Sequence, residues 1–318
     1  MNCVIIGTGV SGQVASLVLK RFGHQVTAIG PDTGDFFKGG LKYFHWSRHF
    51  LATLCHHGVN VDFKEIHGGI YWAGKILPYP EMMGRVRDRA EKIQRMHYAK
   101  TRGTLDGWTA KCMNDPGKDH SKSMVINPSE LSKAALEGVR LCTDMVVEVD
   151  HTEHAIKTKS GNFNYDMLFT SAHASVFAAI GGLDFPDLRN GNIALYEVTW
   201  NGNQKWAGPD YIYTPAQKVV SRISYNLQQR SFWAEVPQPH GVDDSDQSEA
   251  VAKDVIHVLG IGMRISKQGR IKGHIIGCDE GLEYPEGVIP IGRYAAWDSR
   301  ETTDVVAEKV GRWCDGIW

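Results

Sequence analysis

The chain has 318 residues, with 35 Lys and Arg against 36 Asp and Glu, for a formal net charge of −1. Hydrophobic residues make up 42% and charged residues 22%, an ordinary globular balance that argues against disorder. The near-zero charge removes a global electrostatic case for nucleic-acid binding, and no apolar run reaches the roughly 18 residues of a membrane span.

Asn2–Gly7 is a short apolar run ending in Gly, and Ser11–Phe22 follows with Val14, Leu17, Val18 and Phe22 at helical spacing. Gln25–Ile29 is a second apolar run, so the chain opens with a βαβ unit and has no signal-peptide pattern. A cytoplasmic location is the expectation. Tyr43–His57 reads as a helix, Ile70–Leu77 as a small hairpin turning at Ala73-Gly74, and Met83–Tyr98 as a charged, solvated helix. Asp115–Ser123 reads as a loop, and Asn127-Pro128-Ser129-Glu130 opens another helix. Met145–Val149, Ala155–Thr158 and Met167–Thr170 read as strands, as do Asn192–Trp200, Tyr211–Tyr213 and Lys218–Tyr225. Pro237–Gln247 reads as an exposed loop, Val251–Leu259 as helix, Val288–Ile291 as strand and Thr302–Trp313 as a last helix.

The strongest motif is Gly7-Thr8-Gly9-Val10-Ser11-Gly12, between the first strand and the first helix. Gly7 permits the tight turn, Gly9 lets backbone N–H groups approach a pyrophosphate, and Gly12 permits close helix–strand packing. Val10 and Ser11 open the helix whose N-terminus would face the anion. The acid expected at the end of the second strand for the ribose is replaced by Gly30; Asp32 stands two residues on. The six cysteines form no CxxC pair, and the histidines lack metal-ligand spacing, so no metal site is expected.

Four segments, in order, resemble the flavin-dependent amine-oxidase and UDP-galactopyranose-mutase superfamily. They are the βαβ unit, Gly69–Pro80, Tyr165–Ala172, and Val288–Tyr294 with the helix from Thr302. The resemblance implies FAD as cofactor and a fold that is α/β. A Rossmann-like FAD-binding domain would comprise 1–40, 125–175 and 285–318, with an inserted α+β substrate domain of 41–124 and 176–284. It further implies that Gly7, Gly9 and Gly12 hold the pyrophosphate, and that the Val146 backbone contacts adenine. Gly292 and Arg293 match the C-terminal flavin motif, and Thr302 and Thr303 would point N–H groups at the flavin. Gly39 and Gly40 would approach its ring system, with His45 nearby for proton transfer or substrate binding, although Leu41 stands where mutase-like proteins usually have His. Arg222, with Tyr213 on the preceding strand, would face the substrate.

Three functions are open at this level. One is FAD-dependent oxidation of an amine-bearing small molecule or modified nucleotide or nucleobase, including C–N cleavage as a lyase. Its nucleobase form draws on a similarity in size and layout to short phage flavoproteins of thymidine hypermodification. A second is redox-neutral mutation of a nucleotide sugar, and a third is non-catalytic dinucleotide binding. The expected partner is a small or nucleotide-linked substrate, with nucleic acid only as a modified base and no membrane.

Overall fold

A computed structural model describes residues 1–30, 43–45, 47–72, 74–78, 122–185, 190–200, 206–214, 217–226, 231–239, 247–260, 263–275, 282–296 and 302–316. The expected helix over Met83–Tyr98, and Asp32, Gly39 and Gly40, lie outside these residues.

Strand β1 (Asn2–Ile6) pairs in parallel with β2 (Gln25–Ile29) on one side and β12 (Met167–Thr170) on the other. Strands β8 (Arg140–Cys142) and β18 (Val288–Pro290) complete a five-stranded parallel sheet in the order β18-β12-β1-β2-β8. Both faces of such a sheet are covered, which is why β1 is apolar without a break. Cys3 and Ile5 pack with helix α1 (Val10–Arg21), while Val4 and Ile6 pack with Phe177 and Val149 on the other face. Val149 belongs to β9 (Val146–Asp150), which joins β10 (Ala155–Thr158) and β11 (Asn162–Asn164) in a small antiparallel sheet. Phe177 lies on the helix that follows β12.

Helix α1 is enclosed by α2 (Arg48–His56), α3 (Pro128–Leu136) and α7 (Thr303–Cys314). Helix α3 is tied to it by polar bonds. The Ser16 hydroxyl donates to the Ala135 carbonyl at 2.8 Å, and Lys20 Nζ donates to the Ala134 and Glu137 carbonyls at the end of α3. Strands β3 (Tyr43–Phe44), β4 (Val61–Glu65) and β7 (Lys122–Ile126) form a second three-stranded sheet.

The remaining strands make a seven-stranded sheet in the order β17-β13-β16-β15-β14-β5-β6. They are β5 (Gly68–Trp72), β6 (Lys75–Pro78), β13 (Asn190–Trp200), β14 (Tyr211–Tyr213), β15 (Arg222–Asn226), β16 (Ser231–Pro239) and β17 (Met263–Ile275). Ile212, Ile223, Phe232, Ala234, Ala194 and Tyr196 face helix α5 (Ser248–Leu259), whose Val251, Val255 and Val258 complete that core. Helices α4 (Ala174–Gly181) and α6 (Arg293–Ala296) follow β12 and β18.

Three sequence expectations are corrected. Tyr43–Phe44 is strand, and α2 starts only after Ser47, whose hydroxyl accepts from the Phe50 N–H at 3.2 Å as an N-cap. Lys122 and Ser123 begin β7 and are not loop. Pro237–Pro239 end β16 instead of lying in a loop; β15 pairs with β16 only as far as Glu235, so the prolines need no donor on that side.

Candidate functional site

The glycine loop after β1 is fixed by two close approaches. Gly7 has φ +103°, and a Cβ there would lie 2.2 Å from Ser171 Oγ at the end of β12. A Cβ on Gly12 would lie 2.0 Å from the Gly7 carbonyl oxygen. Gly9 differs: its φ is −66°, open to any residue, and a Cβ there would meet nothing within 4 Å. Among the described residues nothing requires glycine at position 9. Open space in front of a loop that needs no side chain is a cradle a Cβ would fill, and a dinucleotide pyrophosphate fits it.

The helix behind the loop fits the same ligand. Helix α1 has no side-chain N-cap bond and no acid in its first turn. Helix α3, by contrast, is capped by Asn127 and carries Glu130 in its first turn. The Val10 and Ser11 N–H groups of α1 therefore keep the positive end of the helix dipole available to an anion.

Gly30 explains the missing ribose acid. It is buried, and a Cβ there would lie 2.9 Å from Thr8 Oγ1 and 3.0 Å from Thr8 N. The Thr8 side chain, 3% exposed, occupies the space an acid at position 30 would need.

The C-terminal motif meets this loop. Gly292 has φ +80°, and a Cβ there would clash with Ser11 Oγ at 2.3 Å. The Ile291 N–H donates to the Thr170 carbonyl at 2.8 Å, which docks the turn onto β12. Arg293 opens α6 one residue from that contact. Its side chain is solvent-accessible.

The seven-stranded sheet carries a row of cross-strand neighbours. Tyr213 of β14 is opposite Arg222 of β15, which is opposite Glu235 of β16. Arg222 Nη2 donates to Glu235 Oε1 at 2.5 Å, and its guanidinium also bonds the Tyr213 hydroxyl. Burial works against the Arg222 charge, but Glu235 and Tyr213 outweigh it and hold the pKa above its ordinary value. Arg293 lies within the field of this row. Burial pushes its pKa down and Arg222 adds to that push, while Tyr294, Tyr213 and Glu235 oppose it. The Tyr294 phenol is raised, by burial first and by Glu235. Its ring stacks on His173, the N-cap residue of α4, at 6.1 Å.

Strand alternation puts Ser224 and Trp233, themselves cross-strand partners, on the same face as Arg222 and Glu235. Arg222 Nε, Ser224 Oγ and Trp233 Nε1 are buried and have no hydrogen-bond partner among the described residues. Each such donor costs about 1–3 kcal/mol until an acceptor reaches it.

The structure thus brings Gly7, Gly9, Val10, Ser11 and Gly12 together with Gly292 and Arg293, and Arg293 with Arg222 and Tyr213. Val146 begins β9, half-buried, opposite Thr158. Thr302 and Thr303 start α7, whose first turn contains Asp304, a carboxylate that accepts from the Thr302 hydroxyl. His45 is exposed just after β3 and is not among the groups of the charged row. Glu235, Tyr294, Ser224 and Trp233 were not foreseen. A lone acid in the apolar run Phe232–Val236, matched by a lone Arg in Arg222–Tyr225, was the available signal. No cluster of three metal-binding side chains occurs among the described residues.

No family model matches the chain, and no curated protein matches it. Solved structures do. PF1083 protein from Pyrococcus furiosus superposes with a TM-score of 0.68 at 14% identity, over 100% of this chain and 98% of that one. An oxidoreductase from Methanosarcina mazei gives 0.67 at 11% identity, over 97% and 99%. Cyclohexylamine oxidase from Brevibacterium oxydans IH-35A gives 0.63 at 9% identity, over 99% and 98%. The chain has the Rossmann-type α/β fold of these proteins. At such identities the likeness is one of fold alone.

Proposed function

We propose that the chain is an FAD-dependent oxidoreductase acting on an amine-bearing small molecule or modified nucleotide or nucleobase. The observation that carries this reading is Gly9, a glycine with no steric or dihedral reason of its own, at an uncapped helix N-terminus. In this reading the parallel sheet and its flanking segments, 1–40, 125–175 and 285–318, hold the cofactor. The rest is an inserted substrate domain built on the seven-stranded sheet.

The N–H groups of Gly9, Val10 and Ser11 would hold the pyrophosphate, with Gly7 and Gly12 keeping the loop tight. The Val146 backbone would meet adenine, and Gly292 and Arg293 would flank the cofactor from the C-terminal side. Thr302 and Thr303 would offer N–H groups to the flavin. Asp32, Gly39 and Gly40 complete the set from outside the described residues. FAD, when bound, supplies a two-electron acceptor for a C–H bond beside nitrogen.

The sheet face binds and orients the substrate. Tyr213 and Arg222 would face the substrate, with Glu235 holding the Arg222 guanidinium in place. His45 is the proposed proton-transfer group of the earlier loop. Arg293 adds a second positive charge to the field of the Arg222–Glu235 pair, and three buried donors lack acceptors among the described residues. Both observations favour an amine whose remainder carries acceptor oxygens, as a nucleotide or nucleobase does, over a bare alkylamine.

Purified protein should be yellow, with absorbance near about 450 nm from bound flavin. Colourless protein that takes up no added FAD removes the proposal. Anaerobic bleaching by an amine substrate marks oxidation. The redox-neutral mutase reading is favoured by the same excess of guanidinium charge and by the β5–β6 hairpin, which joins the sheet beside Tyr213. It predicts turnover of a nucleotide sugar with no net bleaching.

A further inference from the structure

We propose that Gln13 is a positioning residue for the cofactor pyrophosphate, acting through the orientation of the Thr8–Gly9 peptide. The inference rests on the FAD reading above and concerns how this chain holds its loop.

Gln13 sits in the first turns of α1 and is 1% exposed, among Val14, Ala15, Leu17 and Val18. A primary amide in that setting needs partners, and it has two. Its Nε2 donates to the Thr8 carbonyl oxygen at 3.2 Å. Its Oε1 accepts from the Ser132 hydroxyl of α3 at 3.0 Å. A carbonyl oxygen only accepts, so the amide nitrogen must be the end that faces Thr8. The oxygen end is then left for Ser132, whose hydroxyl can donate. The two bonds together fix which way the amide points.

The consequence follows from peptide geometry. In a trans peptide the N–H and the C=O point in opposite directions. Holding the Thr8 carbonyl against the side of α1 aims the Gly9 N–H away from the helix, toward the open space at the Gly9 Cα. Glycine tolerates backbone conformations that side chains forbid, so the 8–9 peptide needs an external lock to stay in one orientation. Rotated over, it would present a carbonyl oxygen to the phosphate, replacing an attractive donor with a repelling acceptor. Gln13 supplies the lock, and Ser132 anchors it to a helix from the middle of the chain.

The test uses the full chain stripped of bound nucleotide, with ADP and adenosine as probes in calorimetric titrations. Gln13→Met keeps length and apolar volume but neither donates nor accepts. It should weaken ADP and FAD roughly tenfold, one charge-assisted hydrogen bond, and leave adenosine unchanged. Ser132→Ala removes only the anchor and should weaken ADP by about threefold, a fraction of that bond. ADP affinity unchanged in both variants overturns the inference. Equal losses for ADP and adenosine also overturn it, because a merely structural defect would not distinguish the pyrophosphate. If Gln13→Met fails to fold, Ser132→Ala makes the same comparison with the core amide in place. Wild-type protein that binds neither FAD nor ADP removes the FAD reading itself, a result distinct from either of these.

Discussion

The two large sheets bury their charged and polar groups on opposite terms. In the parallel sheet both faces are apolar, and the proposed cofactor site is backbone at one end: Gly7, Gly9 and the uncapped α1 N-terminus. In the seven-stranded sheet one face is an apolar core against α5, and the other holds a paired Arg222–Glu235 with Tyr213, Ser224 and Trp233. Backbone N–H groups can bind a constant phosphate without any particular side chain. A variable substrate needs side chains, and those must be desolvated and held by each other.

The sharpest way to break that contrast is at two glycines of one loop. Gly9→Val places a side chain in open space with a permitted backbone, so the fold should stand while FAD affinity falls by about a hundredfold or more. Gly12→Ala drives a methyl into the Gly7 carbonyl, so it should cost stability even without ligand, by about 1–3 kcal/mol or more. Thermal unfolding alongside FAD titration separates the two. A Gly9→Val protein that keeps its flavin would end the pyrophosphate assignment.

The next largest effect belongs to the other sheet. Arg222→Met leaves Glu235, 6% exposed, as a buried carboxylate with no cation, at a cost of about 3–5 kcal/mol. Adding Glu235→Leu should recover most of that loss, because the pair as a whole is worth little. Urea unfolding of the single and double variants reads this directly. FAD should still bind the double variant, since the glycine loop lies on the other sheet. A double variant no more stable than the single one would mean that Arg222 acts through something other than Glu235.

The first sheet was legible in sequence. Asn2–Ile6 is apolar because both its faces are buried, and Gly7 and Gly12 are glycine because a Cβ clashes. Asn127-Pro128 announced α3 because capping is local. The second sheet was not legible to the same degree. β17, Met263–Ile275, is mostly polar, with no apolar side chain from Ser266 to Arg270 to mark a strand, and its pairing to β13 is long-range. Arg222 and Arg293 were each singled out on separate motifs, but nothing in their spacing places them in one field. Glu235 carries only a weak signal, a lone acid in an apolar run, because an acid in a strand reads as surface until a partner strand supplies its arginine. Several His and Trp side chains have local partners. His57 Nε2 donates to the Leu17 carbonyl, Trp206 Nε1 donates to the Pro209 carbonyl, and Trp313 packs on Phe169.

A smaller effect tests how the second sheet is held. Asp254 of α5 accepts from the N–H groups of Lys218, Val219 and Val220 at 3.2, 2.7 and 2.9 Å. These residues connect Tyr213 to Arg222, so the carboxylate pins the turn between two site residues from the opposite face of the sheet. Asp254→Ala strands buried donors and should cost on the order of 3 kcal/mol. Asp254→Asn keeps one acceptor oxygen and should lose less. Equal denaturation midpoints for wild type and Asp254→Ala would show that the turn is held by its own bonds, such as Thr214 N–H to the Ser221 carbonyl at 3.0 Å.

The smallest effect distinguishes the first sheet by pH. Cys3 on β1 and Cys314 at the end of α7 are each pushed up from 9.0 to about 12, chiefly by burial. A thiol that holds its proton more tightly folded than unfolded favours the folded state below 9.0. That contribution is lost as pH rises from 9.0 through about 12, because the unfolded chain ionises first. The urea midpoint should therefore fall with rising pH in this window, and fall less in Cys3→Ala, once each protein is referred to its own neutral-pH value. Lysines and tyrosines titrate there too, so the difference between the two slopes is the measured quantity. Parallel slopes would mean that Cys3 reaches water when ionised and that this end of the parallel sheet opens locally. A thiol reagent at neutral pH gives the independent check: exposed Cys55 should react at once, and Cys3 only at the rate of unfolding.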